Sequence, residues 1–79
     1  MSGTGGPSVD ARGLRCPLPV IELSRAAAGQ PPGTELELLA TDPATRHDVP
    51  AWCRMRGAEL LAGAQREDGA WRFVVRLGG

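Results

Sequence analysis

The sequence predicts a two-layer α/β sandwich: a four-stranded mixed sheet with two helices on one face, in the order β-α-β-α-β-β. Three observations carry this reading. Residues 17–28 place apolar side chains at helical spacing before Gly29. Residues 34–40 and 70–77 alternate apolar and polar side chains, the mark of half-buried strands. Asp68-Gly69, between the last two strand candidates, is a hairpin signal.

The elements follow in order. Val9 to Arg12 is a short strand with Val9 and Ala11 on one face, and Gly13 to Arg15 connects it to the first helix. That helix runs from Pro17 to Ala28. Val20, Leu23 and Ala27 form its apolar stripe, widened by Ile21 and Ala28, and Glu22 and Arg25 pair on the other side. Gly29 stops it, and Gln30 to Gly33 is a turn. Thr34 to Ala40 is a strand with Leu36, Leu38 and Ala40 inward. Thr41-Asp-Pro43 ends it. A second helix closes near Arg56 at Gly57; Asp42 and Asp48 both qualify as its cap. Asp48 is favoured, because Pro50 then lies in the first turn. Trp52 and Cys53 point inward. Ala58 to Glu67 is a third strand, weakened by Gly63. Ala70 to Leu77 is the fourth, with Trp71, Phe73, Val75 and Leu77 on one face and Arg72 and Arg76 on the other. Right-handed crossovers place both helices on the same side of the sheet.

The chain has 79 residues, room for one small domain, which is expected over residues 9–79. Residues 1–8 have neither a basic start nor an apolar run, so they read as a flexible tail and not as a secretory signal. No stretch approaches the ~18 apolar residues of a membrane span. Nine arginines balance nine acidic residues. A neutral domain has no general attraction to nucleic acid, so direct nucleic-acid binding is not expected. Two cysteines, Cys16 and Cys53, make no disulfide framework. A cytoplasmic protein with free thiols follows.

The chemistry concentrates at Leu14-Arg-Cys-Pro-Leu-Pro19. With the helix starting at Pro17, both Pro17 and Pro19 fall in the first turn, where a missing N–H breaks no helical bond. Cys16 is then the cap. Its sulfur would meet the free amides and the positive end of the helix dipole, which favours a thiolate. Arg12 and Arg15 are close enough in sequence to add to this, and Leu18 is left as the clear amide donor among 17–19. Nearby there is no general base or oxyanion donor set. The arrangement suits a carrier of a group better than a self-contained hydrolase. The plain alternative is an inert buried cysteine, since free cysteines are often buried; the position at a helix end argues against it.

Other candidates read more simply. Cys53, mid-helix beside Trp52, reads as core, with a resolving thiol as the alternative. His47 with Cys16, Cys53 and Asp48 has no metal-ligand spacing, and no metal or cofactor is expected. Asp10, Asp42 and Asp48 read as turn or cap residues that shape the surface beside Cys16. Arg12, Arg15, Arg46, Arg54 and Arg56 read as solvated surface or as a partner-docking rim, with Asp42, Arg46 and Asp48 as the docking candidates.

Val9 to Gly79 resembles the TusA/SirA family of small sulfur carriers. The resemblance rests on Asp10-Ala-Arg-Gly-Leu-Arg-Cys-Pro-Leu-Pro19, on Ala40-Thr-Asp-Pro-Ala-Thr-Arg-His-Asp-Val-Pro-Ala-Trp-Cys53, and on the closing Arg76-Leu-Gly-Gly79. It implies that Cys16 carries sulfane sulfur as a persulfide. It further implies a cysteine desulfurase or rhodanese-type donor and a downstream acceptor protein. The implied endpoints are tRNA 2-thiouridine, molybdenum cofactor assembly or sulfur oxidation. A monomer is expected. Two alternatives stand beside it. One is a non-catalytic regulatory or docking module that binds partners through the Cys-Pro surface. The other is a carrier that uses the terminal Gly78-Gly79 as a thiocarboxylate; that mechanism belongs to β-grasp folds, whose order begins with a hairpin and not with β-α-β.

Overall fold

In the computed structural model, which describes residues 6–78, β1 (Ser8–Ala11) lies parallel to β2 (Glu35–Ala40), with Ala11 opposite Ala40. The other side of β2 is taken by β4 (Trp71–Arg76), antiparallel, and β3 (Glu59–Gln65) pairs antiparallel with β4 at the edge. The sheet order is therefore β1-β2-β4-β3. Two helices, α1 (Leu18–Ala27) and α2 (Thr45–Arg56), complete the predicted order. The class and element order are those the sequence predicts. Of the expected tail, residues 1–5 lie outside the described residues, as does Gly79; Ser8 is already in β1.

Both helices pack on one face of the sheet. Leu23 and Ala27 from α1 and Val49, Trp52 and Cys53 from α2 meet Ala11, Leu36, Leu38, Phe73 and Val75 in one buried cluster. The alternation read in 34–40 and 70–77 is the cause: Leu36 stands opposite Val75 and Leu38 opposite Phe73, all inward. Each such side chain stabilises by about 1.5–3 kcal/mol on burial. The outer face carries ion pairs instead. Glu37 accepts from Arg72 and from the Ser8 hydroxyl, and Arg76 pairs with Glu59. The Glu22–Arg25 pair forms at 3.3 Å.

Two local readings change. Gly63 does not merely weaken β3. A Cβ there would come within 3.3 Å of the Phe73 ring on the next strand, so the missing side chain is what lets the strands close over Phe73. The cap of α2 is not Asp48. The helix starts one turn earlier, because the Asp42 carboxylate accepts from the Ala44 N–H at 2.9 Å and its carbonyl accepts from the Thr45 hydroxyl at 2.7 Å. That Asx turn outcompetes the later start. Pro50 then lies inside the helix and donates nothing to the Arg46 carbonyl. A proline inside a helix costs about 3 kcal/mol. Burial of Val49, Trp52 and Cys53 on the same helix, at ~1.5–3 kcal/mol for each large apolar side chain, outweighs it.

Candidate functional site

Because β1 and β2 are parallel neighbours, the loops that leave their carboxyl ends lie side by side. Residues 12–17 form the first and 41–44 the second. They are tied together at two points. The Gly13 N–H donates to the Thr41 hydroxyl at 2.9 Å, and the Cys16 N–H donates to Asp42 Oδ2 at 2.7 Å. Asp42 thus orders both its own helix start and the backbone of the cysteine. These bonds, that to Cys16 foremost, hold its carboxyl below the usual carboxylate range, with help from the Arg15 charge.

Cys16 is exposed, and its peptide bond to Pro17 is cis. The helix begins at Leu18 with Pro17 as its cap, so Cys16 stands one residue outside the position the sequence suggests. The expected cradle of amides is missing for a local reason. Pro17 and Pro19 have no N–H, and the Leu18 N–H, read from sequence as the free donor, is spent on the Arg15 carbonyl at 2.8 Å. Pro19 is buried in the first turn, and Leu18 points outward.

The electrostatics of the sulfur are also reversed. Arg12 does not serve Cys16. It makes a two-pronged pair with Asp10 at 2.8 Å on both prongs, and this pulls the Asp10 carboxyl down to about 2. Arg15 is exposed and lines a shallow depression with Gly13, Leu14, Thr41, Asp42 and Pro43. The group nearest the thiol in effect is Asp48. Hydrogen bonding to its carboxylate raises the Cys16 pKa, followed by partial desolvation and by the negative charges of Asp48 and Asp42. These groups favour the thiol over the thiolate, the opposite direction to the helix-end effect expected from the sequence.

Cys16 and Asp48 line one open groove of about 230 Å³ between the start of α1 and the face of α2. Its other walls are Pro17, Val20, Ala51, Trp52 and Met55. The depression around Arg15 is larger, about 400 Å³, and does not include Cys16. The groove is mainly apolar. Trp52 lines it and donates its indole N–H to the Ser24 hydroxyl at 2.7 Å, and the Arg56 guanidinium lies over that ring, 5.2 Å from its centroid. Met55 stands 82% exposed at the rim, which is unusual for so large an apolar side chain.

The remaining candidates are placed apart from the sulfur. Arg46 stacks over Trp71 at 5.1 Å and joins α2 to β4. His47 is exposed on α2, and among the described residues no group of three or more His, Cys, Asp or Glu is arranged to hold a metal. Cys53 is buried, and that burial raises its pKa. Sequence reasoning misses Ala51 and Met55 as groove walls and gives Val20 wholly to the core. The signal was present: Asp48, Ala51, Trp52 and Met55 fall at i, i+3, i+4 and i+7, one stripe of α2.

The same fold is seen in a crystal structure of the SirA-like protein from Desulfitobacterium hafniense. It matches with a TM-score of 0.80 at 22% identity, over 92% of this chain and 99% of that one. Residues 8–77 match the family model described as Sulfurtransferase TusA. The chain belongs to the TusA family. Membership assigns it to sulfur relay as a carrier, between a protein that supplies sulfur and one that takes it. In this TusA-family chain no helix among the described residues is long and apolar enough to cross a membrane.

Proposed function

We propose that Cys16 carries the relayed sulfur as a persulfide. The observation that supports this most is its placement: the exposed cysteine stands at the mouth of a groove built by its own loop and both helices. The donor is a cysteine desulfurase or a rhodanese-type protein that itself holds a persulfide. The Cys16 thiolate attacks the outer sulfur of that persulfide. The S–S bond breaks, its electron pair stays on the donor's cysteine, and that sulfur takes up a proton. Cys16 then holds the extra sulfur and repeats the step in reverse sense toward an acceptor cysteine. A persulfide is more acidic than a thiol, so the loaded carrier becomes anionic at lower pH than the empty one. Arg15 and the Pro17-Leu18-Pro19 turn keep this end of the chain stiff and accessible for docking, and Asp42 and Arg46 fix the second loop beside it. The acceptor serves tRNA 2-thiouridine formation, molybdenum cofactor assembly or sulfur oxidation. The carrier works as a cytoplasmic monomer.

The test is direct. Incubation with a cysteine desulfurase, its pyridoxal phosphate and cysteine should add one sulfur atom, located on Cys16 by peptide mass spectrometry. Cys16→Ser should accept none, and Cys53→Ser should accept as the wild type does. Sulfur found on Cys53 alone would overturn the assignment. A Cys16→Ser protein that keeps full function in the cell, while Arg15→Glu loses it, would favour the docking module instead.

A further inference from the structure

The groove beside Cys16 has one unresolved polar feature. Asp48 Oδ2 is buried and has no hydrogen-bond partner among the described residues. A buried carboxylate oxygen without a partner is costly, and Asp48 as a whole is half-buried and lines the groove, so a cation seated there meets the carboxylate and offsets that cost. The walls around it are apolar: Val20, Ala51, Trp52 and Met55. A groove of this kind fits a side chain with an aliphatic stem and a cationic head, which is the build of arginine and lysine. Among the described residues no arginine pairs with Asp48. Arg12 is held by Asp10, Arg56 lies over Trp52, and Arg46 lies over Trp71.

We propose that the groove receives an arginine or lysine side chain of the sulfur donor, and that pairing of this cation with Asp48 releases Cys16 as the attacking thiolate. The proposal rests on the reading of Cys16 as the sulfur-bearing group. Asp48 and Asp42 are the charges that act on the sulfur, from α2 and from the second loop, and both disfavour its thiolate. Arg15, on the sulfur's own loop, acts on Asp42. A cation on Asp48 removes the hydrogen-bond acceptor and cancels its charge. The thiol then loses its proton to water and becomes nucleophilic only where a donor is docked. The free carrier is thereby spared side reactions with other electrophiles.

The test uses iodoacetamide alkylation of the folded chain from pH 6 to 9, with the modified residue located by mass spectrometry. Asp48→Asn keeps the shape and removes the charge; at pH 7 its Cys16 should react roughly threefold faster or more than wild type, with the rate profile displaced to lower pH. Ala51→Arg places a guanidinium one turn from Asp48 on the same face, in the partner's stead, and should accelerate Cys16 similarly. Ala51→Gln, of comparable reach without charge, is the control for size, and Ala51→Arg should react faster than it does. Equal profiles for wild type and Asp48→Asn would overturn the hold. Ala51→Arg no faster than Ala51→Gln would overturn release by a cation. Sulfur loading is read separately with the wild type: if Cys16 accepts no sulfur while these alkylation differences stand, the carrier reading falls and the control of the thiol by Asp48 remains.

Discussion

Replacing Ser24 by alanine should destabilise the domain through Trp52, on the other helix. The Trp52 indole is 4% exposed, and its N–H donates to the Ser24 hydroxyl at 2.7 Å. An indole N–H can only donate, so loss of the hydroxyl leaves it without a partner. A buried donor left unpaired costs about 1–3 kcal/mol. Alanine is a better helix former than serine by about 0.5 kcal/mol, which offsets part of this. The net loss is then about 1–2 kcal/mol, a large share of the ~4–12 kcal/mol available to a chain of this size. With a urea slope near ~1 kcal/mol/M, the unfolding midpoint should fall by about 1–2 M. Ser24→Thr, which keeps the hydroxyl, should recover most of the loss. A Ser24→Ala protein with the wild-type midpoint would refute the reasoning, since the bond would then contribute nothing beyond what water supplies.

Other outcomes follow from the same structure. Gly57 ends α2 at φ +66° with no atom near its missing Cβ, so Gly57→Ala should cost only backbone strain, about 1 kcal/mol, read as a melting point lower by about 4–8 °C. The Asp42 carboxyl is depressed in the folded state, so it contributes stability above its unfolded value near ~4 and loses it as pH falls through the folded value. Urea midpoints measured from pH 5 down to 2 should therefore fall more steeply for wild type than for Asp42→Asn. Burial raises the Cys53 thiol, and its alkylation should stay slow until urea unfolds the chain; a fast native rate would contradict its place in the core. Leu38→Ala, at a fully buried position opposite Phe73, should cost about 2–5 kcal/mol and leave little folded protein by circular dichroism.

The parts of the fold that were legible in sequence are those set by periodicity. Trp71, Phe73 and Val75 alternate because one face of β4 meets the helices, and the same alternation fixes Leu36 and Leu38. Strand order was not legible, since no local pattern says that β4 slips between β2 and β3. The start of α2 was misjudged because two local rules conflict there. An aspartate turn before Pro43 competes with the preference for keeping Pro50 out of a helix interior, and the burial that decides between them is tertiary. At the site, Cys16 stands out in sequence because of its prolines. Its electrostatics do not, because Asp48 reaches the sulfur only once α1 and α2 are packed, and because the prolines that mark the motif also remove the amides that were expected to serve it.

The register of the sheet also decides which end of the molecule a partner meets. Cys16 follows Ala11 at the edge where β2 ends with Ala40. Ser8 pairs near the start of β2, and Arg76 pairs with Glu35 at that same start. Ser8 and Arg76 therefore lie at the side away from the sulfur, separated from it by about 13 Å of β1 and about 20 Å of β4. A sulfur-bearing protein that approaches the groove therefore meets the opposite end of the sheet from Ser8 and Arg76.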